Sequence, residues 1–127
     1  METRKKLLIV EDDQETIKFY NLFFRKYFEV DVCPNGTNFF EHLNSKDYDC
    51  IIIDIALTEE ITGLDITAKV KSNPKYSHIP IICVTAHIKQ IDRQNAFNAG
   101  VDLFVAKPVP PHELLAKINL LIEEKKG

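Results

Sequence analysis

Short apolar runs alternate with segments of helical periodicity along the whole chain. Two of these runs, residues 7–10 and 51–53, are aliphatic throughout and end abruptly in acidic residues. Such runs are typical of strands that are buried on both faces, as in parallel sheets. The pattern predicts five strands, near residues 6–10, 29–33, 50–53, 81–85 and 103–106. It also predicts five helices, near residues 14–27, 37–45, 63–72, 88–99 and 111–123.

Five strand–helix units in a row predict an α/β domain. Parallel strands need crossover connections, so the helices should cover both faces of a doubly wound sheet. Thr62 and Asp65 have the spacing of an N-terminal capping box, and Asn73 with Pro74 should end the helix that follows. Gly100 stands where a left-handed C-cap is expected, and Pro111 suits the first turn of the last helix.

Length and charge exclude several classes of protein. The 127 residues fit one domain, residues 1–127, with a core from about 5 to 123. A formal net charge of −3 gives no electrostatic footprint for nucleic acid. No apolar stretch approaches the roughly 20 residues of a bilayer-spanning helix. We therefore expect no nucleic-acid partner and no membrane partner.

The cysteines bear on the compartment of the protein. Cys33, Cys50 and Cys83 lie in or beside predicted strands and lack the spacing of metal ligands. An odd number of buried thiols fits a reducing cytoplasm, where they act as small apolar residues. We therefore expect a cytoplasmic protein with three free, buried thiols.

The first predicted helix carries two adjoining apolar stripes. The stripe expected to face the sheet consists of Ile17, Tyr20, Phe24 and Tyr27. The adjoining stripe consists of Phe19, Leu22 and Phe23, which one sheet contact should not fully cover. These aromatic residues are either the margin of a wide, partly buried helix face or a docking patch for a partner.

Acidic residues follow two of the predicted strands. Glu11, Asp12 and Asp13 follow the first strand, and Asp54 follows the third. In open parallel sheets the ligand crevice lies beyond the carboxyl ends of the strands. Closely spaced carboxylates need a cation or a cationic side chain among them. If the two strands are neighbours, the pattern indicates a site for a hard metal ion.

A hydroxyl and a lysine on the same edge extend this interpretation. Thr85 ends the fourth strand and Lys107-Pro108 follows the fifth. Carboxylates can hold Mg²⁺, while a lysine and a threonine can contact phosphoryl oxygens. One carboxylate could then act as a nucleophile and form an acyl phosphate.

From about residue 5 to residue 122 the chain resembles the receiver domains of two-component response regulators. The motifs that carry the resemblance are Leu-Ile-Val-Glu-Asp-Asp at 8–13, Asp54 after its isoleucine run, Val-Thr-Ala at 84–86 and Ala-Gly-Val-Asp-Leu-Phe-Val-Ala-Lys-Pro at 99–108. Each motif alone is weak, but the four in this order are specific. The resemblance implies a flavodoxin-like fold with strand order 2-1-3-4-5.

The resemblance also implies roles for the acidic residues. Asp54 would be the phosphoacceptor and part of the Mg²⁺ site. Asp12 would bind the ion directly, Glu11 would act largely through water, and the backbone carbonyl of Ala56 would complete the protein's ligands. Asp13 falls outside the acidic pair and is expected to be a helix N-cap.

Further roles follow from the later motifs. Lys107 would contact the phosphoryl group, and its bond to Pro108 would be cis. Thr85 would move toward the phosphoryl oxygens, although it could be only a strand former. Phe104 would be the aromatic switch residue and turn inward, with a plain core role as the alternative. His87 resembles a residue at the site entrance, with simple surface exposure as the alternative.

Three histidines have no partner spacing and are expected at the surface. They are His42, His78 and His112.

The loop after Asp54 departs from the family pattern. Thr58 stands where the family usually has proline, and Gly63 lies nine positions after Asp54 rather than eight. We expect a longer and more flexible loop, with added negative charge from Glu59 and Glu60.

The predicted function is phosphoacceptor signalling. A phosphohistidine on a sensor histidine kinase or a histidine phosphotransfer protein would donate its phosphoryl group to Asp54 with Mg²⁺ bound. The switch would then alter the face formed by the fourth helix, fifth strand and fifth helix. The domain would promote only its own phosphorylation and dephosphorylation, so we do not expect a conventional enzyme. The sequence ends soon after the predicted fifth helix, so we expect a downstream protein to receive the signal unless the sequence is a piece of a longer regulator.

Two rival functions stay open. A degenerate receiver would act as a phosphorylation-independent binding module, and the altered loop is the feature that supports it. A haloacid-dehalogenase-like phosphatase also uses an aspartate nucleophile and Mg²⁺. That family has a second aspartate two residues later, where this chain has Ala56.

Overall fold

The computed structural model describes residues 4–56 and 62–126 and shows alternating strands and helices. The strands are β1 (Lys6–Val10), β2 (Glu29–Cys33), β3 (Cys50–Ile53), β4 (Ile81–Thr85) and β5 (Leu103–Ala106). The helices are α1 (Gln14–Phe24), α2 (Gly36–Ser45), α3 (Gly63–Ser72), α4 (Gln90–Ala99) and α5 (Pro111–Lys126). All five strands have the predicted bounds.

The strands form one parallel sheet of order β2-β1-β3-β4-β5. The prediction of a flavodoxin-like, doubly wound α/β fold is therefore confirmed. β1 and β3 are direct neighbours, and Val10 is paired with Ile53 at their carboxyl ends. This pairing brings the acidic residues that follow the two strands to one edge of the sheet.

The sheet separates two apolar layers, because successive strand side chains point to opposite faces. Leu8, Ile51 and Ile81 pack with residues of α2, α3 and α4 on one face. Leu7 and Ile52 pack with residues of α1 and α5 on the other face. Both faces of the central strands are therefore buried, which explains their uninterrupted aliphatic runs.

Local hydrogen bonds confirm most of the predicted helix ends. Thr62 and Asp65 form the reciprocal capping box at the start of α3. Asn73 is the C-cap of the same helix. Gly100 ends α4 with a φ of 116°, a left-handed conformation that favours glycine, and Pro111 is the first residue of α5.

The predicted end of α1 is wrong by three residues. The helix ends at Phe24, and the N–H of Tyr27 donates to the carbonyl of Phe24 three residues earlier, which tightens the last turn. Phe28 is consequently buried, whereas Tyr27 is 43% exposed and does not face the sheet. Tyr20 and Phe24 are buried as predicted.

α3 has the predicted bounds, and the remaining helices differ from prediction only at their ends. The side chain of Asn35 accepts a hydrogen bond from the N–H of Asn38, so α2 begins at Gly36. The N–H of Lys89 donates to Asp92, and α4 begins at Gln90 rather than 88. α5 extends to Lys126.

The three cysteines are free and buried, as predicted. Burial raises the pKa of the Cys33, Cys50 and Cys83 thiols to about 12. Because the thiolate is the reactive form, we expect iodoacetamide at pH 8 to leave the native protein unmodified. In urea the same treatment should modify all three cysteines, and intact mass measures the number of modified thiols. A modified native protein would contradict this burial.

No helix among residues 4–56 and 62–126 is long and apolar enough to cross a membrane. The predictions about Thr58, Glu59 and Glu60 concern residues outside the described part of the chain and stay predictions.

Candidate functional site

The carboxyl edge of the sheet brings together the acidic residues predicted to form a site. Glu11 and Asp12 follow β1, and Asp54 follows β3 directly beside it. Glu11 is 3% exposed and Asp54 is 8% exposed, while Asp12 is half-buried. Two carboxylates are thus withdrawn from water at one point, where a positive charge is needed to stabilise them.

Lys107 supplies that charge. Its Nζ lies 2.9 Å from Oε1 of Glu11 and 2.9 Å from Oδ2 of Asp54. The N–H of Lys107 donates to the carbonyl of Thr85, which fixes the backbone of Lys107 at the end of β5. The Lys107–Pro108 peptide bond is cis, as predicted.

The two carboxylates determine the charge state of this lysine. Partial burial alone would lower its pKa, but the hydrogen bonds to Glu11 and Asp54 hold the pKa of Lys107 well above its ordinary value. Lys107 is therefore a permanent cation at neutral pH.

Backbone N–H groups hold the other oxygen of each buried carboxylate. The N–H of Asp13 donates to Oε2 of Glu11 at 3.1 Å. The N–H of Ala56 donates to Oδ1 of Asp54 at 2.9 Å. Each carboxylate is thus fixed from two sides, which preorganises the site for chemistry at an oxygen atom.

Gly63 allows the first turn of α3 to approach the candidate acceptor. A Cβ atom at Gly63 would lie 2.4 Å from the carbonyl oxygen of Asp54 and 2.8 Å from Cα of Ile55. The close approach therefore requires glycine, although Gly63 stands one position later than in the family pattern.

Asp13 plays the structural role that was predicted for it. Its side chain accepts from both the N–H and the hydroxyl of Thr16, at 2.9 and 2.6 Å, at the start of α1. The hydroxyl and backbone bonds from Thr16 hold the pKa of Asp13 below its usual value.

The donor chemistry of the site fits Mg²⁺. Glu11, Asp12, Asp54 and the carbonyl of Ala56 offer only oxygen, and Glu11 and Asp54 present two carboxylates to the one ammonium of Lys107. Within residues 4–56 and 62–126, no three His, Cys, Asp or Glu side chains gather closely enough to ligate a metal together. Mg²⁺ keeps several waters and needs few protein ligands, so these four groups stay a predicted magnesium site.

The two candidate switch residues lie on the same face of neighbouring strands. Thr85 is fully buried, and its hydroxyl accepts from the N–H of His87 at 3.1 Å. Phe104 on β5 is paired with Cys83 on β4 and is half-buried against the layer of α2, α3 and α4. His87 is exposed, as its alternative interpretation expects.

Tyr20 lines the site, although its place in the sheet-facing stripe predicted only a core role. Together with Lys107, Pro108 and Thr16 it lines an open cavity of about 680 Å³ beside the acidic residues. Burial raises the pKa of Tyr20 to about 12, with Lys107 opposing the effect and Glu11 adding to it. The sequence did contain a signal for this position. Tyr20 lies in the sheet-facing stripe about two turns after the acidic pair, and a buried phenol needs polar surroundings.

The aromatic surface of α1 is partly exposed. Phe19 is 47% exposed and Leu22 is 66% exposed. Phe23 is half-buried, stacks on Phe19 and makes an edge contact with His112 of α5. Phe19 also lines the cavity, so the exposed aromatic surface is continuous with the candidate site.

The remaining histidines lie at the surface, as predicted. His78 and His112 are exposed. The side chain of His42 is 39% exposed, and its Nδ1 lies 4.0 Å from a carboxylate oxygen of Asp31.

Solved structures share this architecture. A receiver domain protein from Methanospirillum hungatei superposes with a TM-score of 0.89 at 23% identity and covers 98% of each chain. The receiver domain of a sensor histidine kinase from Pseudomonas aeruginosa PAO1 superposes with a TM-score of 0.86 at 25% identity, covering 95% of this chain and 99% of that one. That second structure has a magnesium ion coordinated in its active site cleft.

Sequence comparison agrees with the structural comparison. The Staphylococcus aureus transcriptional regulatory protein SrrA is 27% identical over 117 residues, which are 91% of this chain and 47% of SrrA. The chain thus spans about half the length of the curated relatives it matches. The sequence pattern of the response regulator receiver domain matches residues 7–119. The chain therefore belongs to the response regulator receiver domain family of two-component signal transduction.

Proposed function

We propose that Asp54 is a phosphoacceptor that receives a phosphoryl group from a phosphohistidine. The observation that carries the proposal is the position of Lys107 Nζ, 2.9 Å from both Asp54 and Glu11 at the carboxyl edge of the sheet. Family membership supports the same conclusion, because receiver domains pair with histidine kinases. The donor would be a sensor histidine kinase or a histidine phosphotransfer protein in the cytoplasm.

The proposed reaction is a transfer between two nucleophiles. One carboxylate oxygen of Asp54 attacks phosphorus, the P–N bond to the donor imidazole breaks, and the imidazole takes a proton from solvent. Lys107 is placed to neutralise charge on a phosphoryl oxygen, and the N–H of Ala56 holds the attacking carboxylate in position. A bound Mg²⁺ would supply additional neutralisation of phosphoryl charge.

The donor would approach over the exposed surface of α1. Phe19 and Leu22 are open to solvent, and Phe19 borders the cavity that leads to Lys107. A partner that packs on this surface would bring its histidine to the mouth of the site. His87 is placed on the exposed turn after β4 and would flank the entrance.

After transfer, the signal would pass to a downstream protein through a conformational switch. Thr85 would leave the N–H of His87 for a phosphoryl oxygen, and Phe104 would turn inward. The domain would therefore act as a signalling phosphoacceptor rather than as a conventional enzyme.

Acetyl phosphate with Mg²⁺ tests the proposal by intact mass. We expect one phosphoryl group on the wild-type protein, none on Asp54→Asn, and slower labelling of Lys107→Ala. Asp13→Asn is the matched control, because asparagine can also cap α1 and the residue adjoins the same site. It should be labelled like the wild-type protein.

Two results would favour the rival functions. An unlabelled protein that still binds Mg²⁺ would support a binding module. Steady release of phosphate from a generic monoester, lost in Asp54→Asn, would support a phosphatase.

A further inference from the structure

Arg93 on α4 joins two aromatic rings that belong to different elements. Its guanidinium carbon lies 5.3 Å from the ring centre of Phe97, one helical turn later, and 5.6 Å from the ring centre of Phe104 on β5. Arg93 and Phe97 are exposed, while Phe104 is half-buried. Both distances are within the range of a cation–π interaction.

The contact occurs while the hydroxyl of Thr85 is hydrogen-bonded to the backbone of the turn before α4. The hydroxyl of Thr85 accepts from the N–H of His87 in the turn before α4. Phe104 lies on the same face of the sheet, on the strand next to Thr85. The described arrangement therefore combines an engaged Thr85 hydroxyl with a Phe104 ring that Arg93 covers.

We propose that Arg93 is a positioning residue that holds Phe104 in its outer, half-buried orientation by binding its ring together with that of Phe97. Inward rotation of Phe104 must then break one of the two contacts of the guanidinium. The position of α4 and the orientation of Phe104 are coupled through this contact. The inference rests on the proposed function, since it concerns the switch that phosphorylation of Asp54 would use.

The size of the effect follows from the strength of an exposed cation–π contact. Loss of such a contact shifts a two-state equilibrium by about two- to fivefold. Removal of the Arg93 charge should raise the inward population of Phe104 by this factor, even before phosphorylation. If the inward form is the more reactive form, labelling of Asp54 should accelerate by the same factor.

Arg93→Gln tests the proposal, because glutamine is a helix former of similar length without charge. In protein carrying fluorinated phenylalanine, we expect the ¹⁹F resonance of Phe104, assigned through Phe104→Leu, to move. Labelling by acetyl phosphate should be about two- to fivefold faster. Arg93→Lys, which keeps a cation, should restore part of both changes. Arg25→Gln, an exposed arginine after α1, should change neither.

A double-mutant cycle separates this effect from a general effect on α4. In the Phe104→Leu background, Arg93→Gln should leave the labelling rate unchanged. An unmoved Phe104 resonance in Arg93→Gln would overturn the inference, whatever the labelling rate. If the wild-type protein is not labelled, the proposed phosphoacceptor function fails. The ¹⁹F resonance of Phe104 alone then decides whether Arg93 positions Phe104.

Discussion

Gly63→Ala is expected to destabilise the protein by about 1–3 kcal/mol and to slow labelling of Asp54 several-fold. The new Cβ would meet backbone atoms, the carbonyl oxygen of Asp54 at 2.4 Å and Cα of Ile55 at 2.8 Å. Backbone atoms cannot rotate away as the end of a side chain can, so either α3 or the Asp54 segment must shift. Because Asp54 is the proposed acceptor, stability and reactivity should fall together.

Urea unfolding and acetyl phosphate labelling measure the two effects. Ala68→Gln, on the exposed side of the same helix, should change stability by about 0.5 kcal/mol or less and leave labelling intact. Replacement of an unstrained glycine by alanine usually stabilises by about 0.4–1 kcal/mol. A gain of that size in Gly63→Ala would show that the close approach does not exist.

Lys107→Met is expected to have the second large effect, a loss of about 3 kcal/mol of stability in the absence of Mg²⁺. The side chains of Glu11 and Asp54 are only 4% and 10% exposed, and the substitution leaves both without the ammonium that lies 2.9 Å from each. Methionine keeps most of the apolar stem, so the change removes mainly charge. We expect added Mg²⁺ to restore part of the stability by binding the same carboxylates.

Lys46→Met provides the matched comparison. Lys46 also lies between two carboxylates, 3.2 Å from Glu29 and 3.0 Å from Asp31, but their side chains are 46% and 21% exposed. Because these carboxylates are more exposed, Lys46→Met should lower the stability by about 1 kcal/mol or less and should show no response to Mg²⁺. Chemical denaturation with EDTA and with Mg²⁺ measures both variants. Equal losses in the two variants would contradict the argument from burial.

The strands were predictable because both sides of the sheet are covered. A strand such as β3 buries every side chain, so its whole length is apolar and its end is marked by the first polar residue, Asp54. The order of the sheet came from the family resemblance instead, since five buried strands of similar composition can be arranged in several ways.

The helix ends were harder to predict where tertiary packing overrides the local pattern. The stripe of α1 continues in sequence to Tyr27, but the last turn tightens and Phe28 takes the buried position. At the start of α4, the cap is formed by the backbone N–H of Lys89 and the side chain of Asp92. Lysine is not a usual N-cap residue, so only Asp92 marked this cap in the sequence.

The convergence of the site was also predictable, but its internal bonds were not. Glu11, Asp12, Asp54 and Lys107 all follow strand ends, which places them on one edge. The N–H groups of Asp13 and Ala56 that orient the carboxylates belong to the backbone and leave no mark in the sequence. The contact of Arg93 with Phe104 joins residues whose side chains meet only after α4 packs beside β5.

The separation of the two helical layers bears on how the choice of donor could be changed in such a domain. The aromatic surface of α1 belongs to one layer, whereas Phe104 packs against the other, across a sheet whose central strands are fully buried. If the donor packs on α1 as proposed, substitutions at Leu22, which is mostly exposed, should change the choice of donor without altering α4. Exchange of the α1 surface between two receivers would then redirect the input of a pathway while its output stays the same.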